Sequence, residues 1–236
     1  MNKLFDKNIT LDRESHTYSL ATNPDLEFIS ATTFVGQFFE KFEAEKIAKR
    51  LVASSPKYMG MSVEEVLASW KNSADHGTLV HEELENHILN QSELIEPKAI
   101  QGIRWLNKFR MKADFDIFTE VMIYSEELKL SGTIDLLLFD KSCKQYIIMD
   151  WKTSKKIDTR SYGNKKGILP ASSNIDDTKF NHYALQLSLY RYILETYYGL
   201  EISQHLIIHL KDNKCTGLHA PYMKNIINKM VQTLGE

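Results

Sequence analysis

Cysteine is nearly absent from this chain of 236 residues: Cys143 and Cys215 are the only two, too few and too far apart for a disulfide framework or a zinc knuckle. A reducing intracellular setting is the expectation, either cytoplasmic or in the host cell of a phage or virus that encodes the protein. No apolar run approaches the roughly 20 residues that span a bilayer, and the first twenty residues, MNKLFDKNITLDRESHTYSL, are too polar and acidic for a secretory signal. No membrane partner is expected. The five prolines are scattered, and no repeat, low-complexity tract or linker divides the chain. One domain is expected over 1–236, with an N-terminal elaboration at 1–73, a core at 74–212 and a C-terminal helix region at 213–236. Charge of one sign is also missing: 29 Lys and Arg against 31 Asp and Glu leave a net charge of −2, which excludes a nonspecific basic coat for nucleic acid.

What is present is an ordinary globular composition, 43% hydrophobic and 25% charged, and within it three acids at equal spacing, Glu120, Asp135 and Asp150. Each lies in a run with strand character, IFTEVMIY, GTIDLLLF and QYIIMDWKT. Polar turns near Glu126–Lys129 and Lys141–Lys144 would fold these runs into a meander. Elsewhere, two short strands at Ile9–Leu20 and Glu27–Thr33, broken by ATNPD, form an N-terminal β-hairpin. Helices are expected at Phe38–Ser54, from a capping box at Ser62-Val-Glu-Glu65 through Trp70, at Ala74–Asn90, at Pro97–Lys112 and at Asn181–Tyr198 before Gly199. The chain closes with a strand at Ile202–Leu210, an extended piece and a helix begun by Pro221. The fold class is α/β, a β-sheet flanked by helices in the core order helix, three strands, helix, strand.

Asp150-Trp151-Lys152 by itself reads as an ion pair at a strand end, since acid-x-lysine also occurs at Glu96, Glu127, Asp177 and Asp212. Its context differs, because Asp150 ends the apolar run QYIIM and period two sets it on one face with Lys152. A four-residue turn would pair Asp135 with Asp150, their Cβ atoms about 5 Å apart. Unscreened like charges that close are unfavourable, so a cation held by hard oxygen ligands, Mg²⁺ or Mn²⁺, is the economical explanation. Glu120 joins the row if the preceding turn also has four residues. His81 lies on the inward stripe of its helix, where a lone histidine is more often a core residue than a ligand. Gly77 would let that helix approach closely. Gln186 and Tyr190, four apart on the long helix, share a face with Tyr183 and Leu194. Lys152, Lys155, Lys156, Arg160, Lys165 and Lys166 fall within fifteen residues containing one acid, Asp158, a stretch suited to a phosphate backbone.

Taken in order, Gly77-x-x-x-His81, Glu120, Gly132-Thr-Ile-Asp135, Asp150-Trp-Lys152-Thr-Ser and Gln186-x-x-x-Tyr190 resemble the PD-(D/E)XK nuclease superfamily. They are most similar to its RecB-type branch, which includes the mitochondrial genome maintenance exonuclease. The resemblance covers Gly77 to Leu210. It implies a restriction-endonuclease-like αβββαβ core with a central mixed sheet, and hydrolysis of DNA phosphodiester bonds by a metal-dependent exonuclease on single strands or ends, in repair, recombination or replication. It further implies that His81, Asp135 and Asp150 bind metal, with the Trp151 carbonyl as a further candidate, and that Lys152 positions the attacking water and stabilises phosphorane charge. Gln186 and Tyr190 would belong to the family's helix motif beside the site. The number of metals is left open. Some relatives carry an iron–sulfur cluster on four cysteines, which this chain cannot supply, and it lacks a helicase motor, so unwinding would fall to a helicase or to a recombination or replication partner. A structure- or sequence-specific endonuclease and a catalytically silent nucleic-acid-binding protein on the same fold are the competing readings.

Overall fold

The two polar turns act as the sequence implies. Lys129 and Lys144 take left-handed conformations, φ 53° and 57°, and reverse the chain between three consecutive strands. In the computed structural model, which describes residues 3–235, these strands are β4 (Phe115–Ser125), β5 (Leu130–Asp140) and β6 (Gln145–Lys152). Met1, Asn2 and Glu236, at the ends of the expected N- and C-terminal regions, lie outside the described residues.

Strands β4, β5 and β6 pair antiparallel, and β6 continues parallel to β7 (Ile202–Lys211), which pairs antiparallel with β8 (Lys214–Ala220). A two-residue strand, β3 (Ile29–Ser30), runs parallel to the start of β5 on the side opposite β4. The result is a mixed sheet of six strands. Apolar residues alternate between its faces. Leu137, Ile148 and Ile207 pack with α1 (Ala31–Gly36), α5 (Lys179–Tyr197) and α6 (Lys224–Gln232). Leu138, Met149 and Ile208 pack with α3 (Val63–Asn90) and α4 (Pro97–Arg110). Each fully buried Leu or Ile contributes roughly 1.5–3 kcal/mol, so both helical layers are held by burial. The α/β class, the helix-flanked mixed sheet and the N-terminal hairpin are those read from the sequence.

Several boundaries differ, for identifiable reasons. The hairpin joins β1 (Ile9–Asp12) to β2 (Thr17–Leu20), both inside the segment expected as one strand. Asp12 Oδ1 accepts from the Glu14 and Ser15 amides and turns the chain there. The second expected strand shrinks to β3, because the Ser30 hydroxyl caps the Thr33 amide and starts α1. Helix α2 begins at Ala44, not Phe38: the Phe38 carbonyl accepts from the Ile168 amide and the Ser172 hydroxyl, and so serves a loop instead of a helix. The capping box of Ser62 and Glu65 forms, but the helix it starts runs unbroken to Asn90. A Lys71–Asp75 ion pair at 2.6 Å bridges the expected gap. The extended piece after β7 is a full strand, and α6 starts at Lys224, since Ser188 takes the Met223 amide and donates to the Pro221 carbonyl.

Candidate active site

The register between β4 and β5 sets Thr119 opposite Leu136 and Val121 opposite Ile134, which leaves Glu120 across from Asp135. Glu120 itself has φ 48°, left-handed in mid-strand, a strained conformation for a non-glycine residue. The same place interrupts the alternation of faces on both strands. Phe118 and Val121 pack on the α5 side, as do Ile134 and Leu137, where strict period two would put them on opposite sides. The irregularity brings two carboxylates to one opening.

Between β5 and β6 the ladder runs from Asp140–Gln145 to Leu136–Met149 and then stops. The next step would pair Asp135 with Asp150. The Trp151 amide instead donates to Asp135 Oδ2 at 2.8 Å, so a side chain takes over the hydrogen bond where the strands part. β3 pairs with β5 farther along, on the side that β6 has left. The row of three acids therefore exists in register, but its side chains divide. Glu120 and Asp135 line a cleft of about 360 Å³ together with His81, Gly77 and Arg13. Asp150, 2% exposed, turns instead toward α5, where the Gln186 amide donates to its Oδ1 at 3.2 Å.

Gln186 and Tyr190 work as a pair. Gln186 Nε2 also donates to Tyr190 Oη at 3.1 Å, so one amide ties the carboxylate to the phenol. Gly132 explains the glycine of its motif: a Cβ there would lie 2.4 Å from Tyr190 Cε1, so the ring rests directly on the β5 backbone. Gly77 acts similarly, with a Cβ position 3.0 Å from Thr153 Oγ1, which draws α3 against the end of β6.

Lys152 Nζ lies 2.6 Å from Asp150 Oδ2 and 4.7 Å from the centre of the Tyr183 ring. The contact is an ion pair without a directed hydrogen bond, and Asp150 Oδ2 has no other partner among the described residues. Burial favours the neutral form of both groups. For Lys152 the attraction of Asp150 and Asp135 outweighs burial and holds its pKa above the ordinary lysine value. For Asp150 burial dominates, opposed by Lys152 and reinforced by Asp135, so its carboxyl is raised.

His81 comes from α3 with Nδ1 3.5 Å from Asp135 Oδ2, facing the acids instead of the core. Burial first, then repulsion from Asp135 and Glu85, pushes the Glu120 carboxyl up to about 8. Two participants escaped the sequence reading. Glu85, four residues after His81 on the same helical face, borders the cleft, and Arg13 from the β1–β2 turn pairs with it at 3.2 Å and with Glu82 at 3.7 Å. The i, i+4 spacing from His81 was the available signal for Glu85; nothing local marks Arg13.

Among the described residues no three His, Cys, Asp or Glu side chains are drawn into a ready-made cage for a metal ion. The donor chemistry nonetheless fits a hard cation. Asp150 Oδ2 is buried with only an ion-pair partner, and burial, Asp135 and Glu85 raise the cost of ionising Glu120 in a cleft that His81 also lines. In the loop after β6, Lys165 pairs with Glu40 and Lys166 lies 4.0 Å from Asp176. Lys155, Lys156 and Arg160 are exposed and form no ion pair among the described residues.

No family model and no curated protein matches the chain. Among solved structures, one titled "Crystal structure of SSO0001" aligns at 15% identity and a TM-score of 0.39, over 88% of this chain and 74% of that one. At that level the likeness carries no functional argument. Among the described residues, no helix is long and apolar enough to cross a membrane.

Proposed function

We propose that the protein is a metal-dependent deoxyribonuclease that hydrolyses phosphodiester bonds of single-stranded DNA or DNA ends. The observation that carries this reading is the placement of Glu120, Asp135 and Asp150 at adjacent register positions, where β5 and β6 diverge, with Lys152 against Asp150 and His81 against Asp135.

The division of labour follows from the contacts. Asp150 and Tyr183 hold the Lys152 ammonium in place, and its raised pKa keeps it charged at neutral pH, ready to stabilise negative charge growing on a phosphorus centre. Gln186 fixes the Asp150 carboxylate from the other side, with Tyr190 as its second acceptor. Asp135, anchored by the Trp151 amide, presents its carboxylate to the cleft beside His81 and Glu120. His81, Glu120, Asp135 and Asp150 are the residues that would hold Mg²⁺ or Mn²⁺, and the cation supplies charge neutralisation at the scissile phosphate.

The test is digestion of end-labelled linear and of circular single strands with Mg²⁺ or Mn²⁺, comparing the wild type with Lys152→Ala. Cleavage by the wild type and its loss in the variant support the reading; equal activity in both, or none in either, overturns it. Cutting of closed circles would assign an endonuclease in place of an exonuclease.

A further inference from the structure

The segment before Gly77, which the family resemblance does not reach, shapes a second concave surface beside the cleft. A groove of about 990 Å³ runs along the first half of α3, and its lining includes Lys57, Tyr58, Trp70, Lys98, Lys155 and Lys179. Gly77 lines both this groove and the acidic cleft, so the two meet at one residue that carries no side chain.

The four lysines come from four separate elements: the 3₁₀ turn Pro56–Tyr58, the first turn of α4, the loop after β6 and the first residue of α5. Lys98, Lys155 and Lys179 form no ion pair among the described residues, and neither α4 nor α5 has an acid in its first turn to offset them. The acid in the lining, Glu65, is committed to the Ser62 amide at 2.7 Å, and Glu96 nearby is taken by His76 at 2.9 Å. Positive charge thus gathers on a protein whose net charge is −2. Tyr58 and Trp70 are partly exposed, and Trp70 is backed by Phe42 at a centroid distance of 5.5 Å.

Cations that track a backbone, interleaved with aromatic faces, match one strand of nucleic acid, whose unpaired bases can stack while its phosphates meet lysines. A duplex hides its base faces and leaves the aromatic rings unused. The geometry points to this groove as the track for a single DNA strand, with phosphates on Lys57, Lys98, Lys155 and Lys179, bases against Tyr58 and Trp70, and the strand passing Gly77 into the acidic cleft. Cutting in the cleft rests on the nuclease reading above; holding the strand does not.

The experiment is fluorescence anisotropy of an end-labelled oligothymidylate of about 20 nucleotides in EDTA, titrated from about 50 to 200 mM salt. Wild type is compared with Trp70→Ala, Lys98→Glu/Lys155→Glu and the milder Lys98→Gln/Lys155→Gln, and with Lys224→Glu/Lys229→Glu on α6, across the sheet. Trp70→Ala should weaken binding about fivefold or more. The reversed pair should weaken it about tenfold or more and flatten the logarithmic salt slope by about 1.4, or 0.7 per lost phosphate contact on a single strand. The neutral pair, at surface positions that bury no new charge, should show the same flattening with a native melting curve. Unchanged binding by the groove variants, an equal loss in the α6 pair, or a blunt duplex bound as tightly as the single strand would each overturn the assignment. Groove variants that bind and cut like a wild type dependent on Lys152 would refute the groove and leave the nuclease standing. Groove-dependent binding by a protein that cuts nothing would do the reverse.

Discussion

The ring of Tyr190 lies so close over Gly132 that a single added methyl group would come within 2.4 Å of Cε1. Tyr190 is 3% exposed and its hydroxyl is one of the two acceptors of the Gln186 amide, so it cannot retreat without disturbing the hold on Asp150. Gly132→Ala should therefore cost about 1–3 kcal/mol through overpacking. Thermal melting should show a fall of roughly 3–10 °C for a protein of this size. In a Tyr190→Leu background the same substitution should cost much less, and a double-mutant cycle in urea measures that coupling.

Removing the charge of Lys152 strands a buried carboxylate. Lys152→Met should destabilise by about 3–5 kcal/mol, because Asp150 is left ionised or forced to bind a proton without its counter-charge. Adding Asp150→Asn should recover most of the loss, as an amide needs no cation beside it. Chemical denaturation reads the recovery. If the double variant is no more stable than the single one, the ion pair is not what holds this corner.

Glu120 ties stability to pH in metal-free solution. Its carboxyl is pushed up to about 8, so between the ordinary glutamate value of about 4.3 and pH 8 the folded protein binds more protons than the unfolded one. Stability in EDTA should then fall as pH rises through that window and level off above it, by ~2–4 kcal/mol once solvent screening of a partly exposed group is allowed for. Glu120→Gln should flatten the slope and melt higher at pH 8. Mg²⁺ or Mn²⁺ should raise the melting temperature of the wild type at pH 8 more than that of the variant.

His205 works with the opposite sign. It is buried in β7, neither ring nitrogen has a hydrogen-bond partner among the described residues, and the Tyr222 ring stands edge-on at 6.1 Å. Burial, aided by Arg191 and His219, lowers its pKa to about 4. The unfolded chain therefore takes up the proton first, and stability present above about pH 6.5 is lost as pH falls toward 4, by about 3 kcal/mol. His205→Leu should remove this acid sensitivity while leaving the melting curve at pH 8 within a few degrees of the wild type.

The strands and helices of the core were legible because period-two and period-3.6 patterns reflect burial, which the structure shows on both faces of the sheet. Asp135, Asp150, Lys152, Gln186 and Tyr190 could be grouped because two short turns determine a register and one helix a face. Three features could not be read. The left-handed Glu120, φ 48°, interrupts a strand whose residue pattern carries no sign of it. The outward turn of Asp135 against the inward turn of Asp150 depends on where a ladder ends. Arg13 reaches the acids only after the hairpin folds across α3, a contact between residues 72 apart in sequence. The merging of two expected helices escaped for another reason: Asn72 and Ser73 have weak helical preference, and the packing of the whole helix overrides it.

That unbroken helix makes α3 a ruler. His81 follows Trp70 by 11 residues, about three turns or ~16 Å of rigid rod. Whatever is gripped beside the tryptophan is thereby kept at a set span and azimuth from the acids. One residue inserted between them would change the span by only ~1.5 Å but rotate one end by about 100° relative to the other. The spacing of tryptophan and histidine is written in helical phase more than in distance.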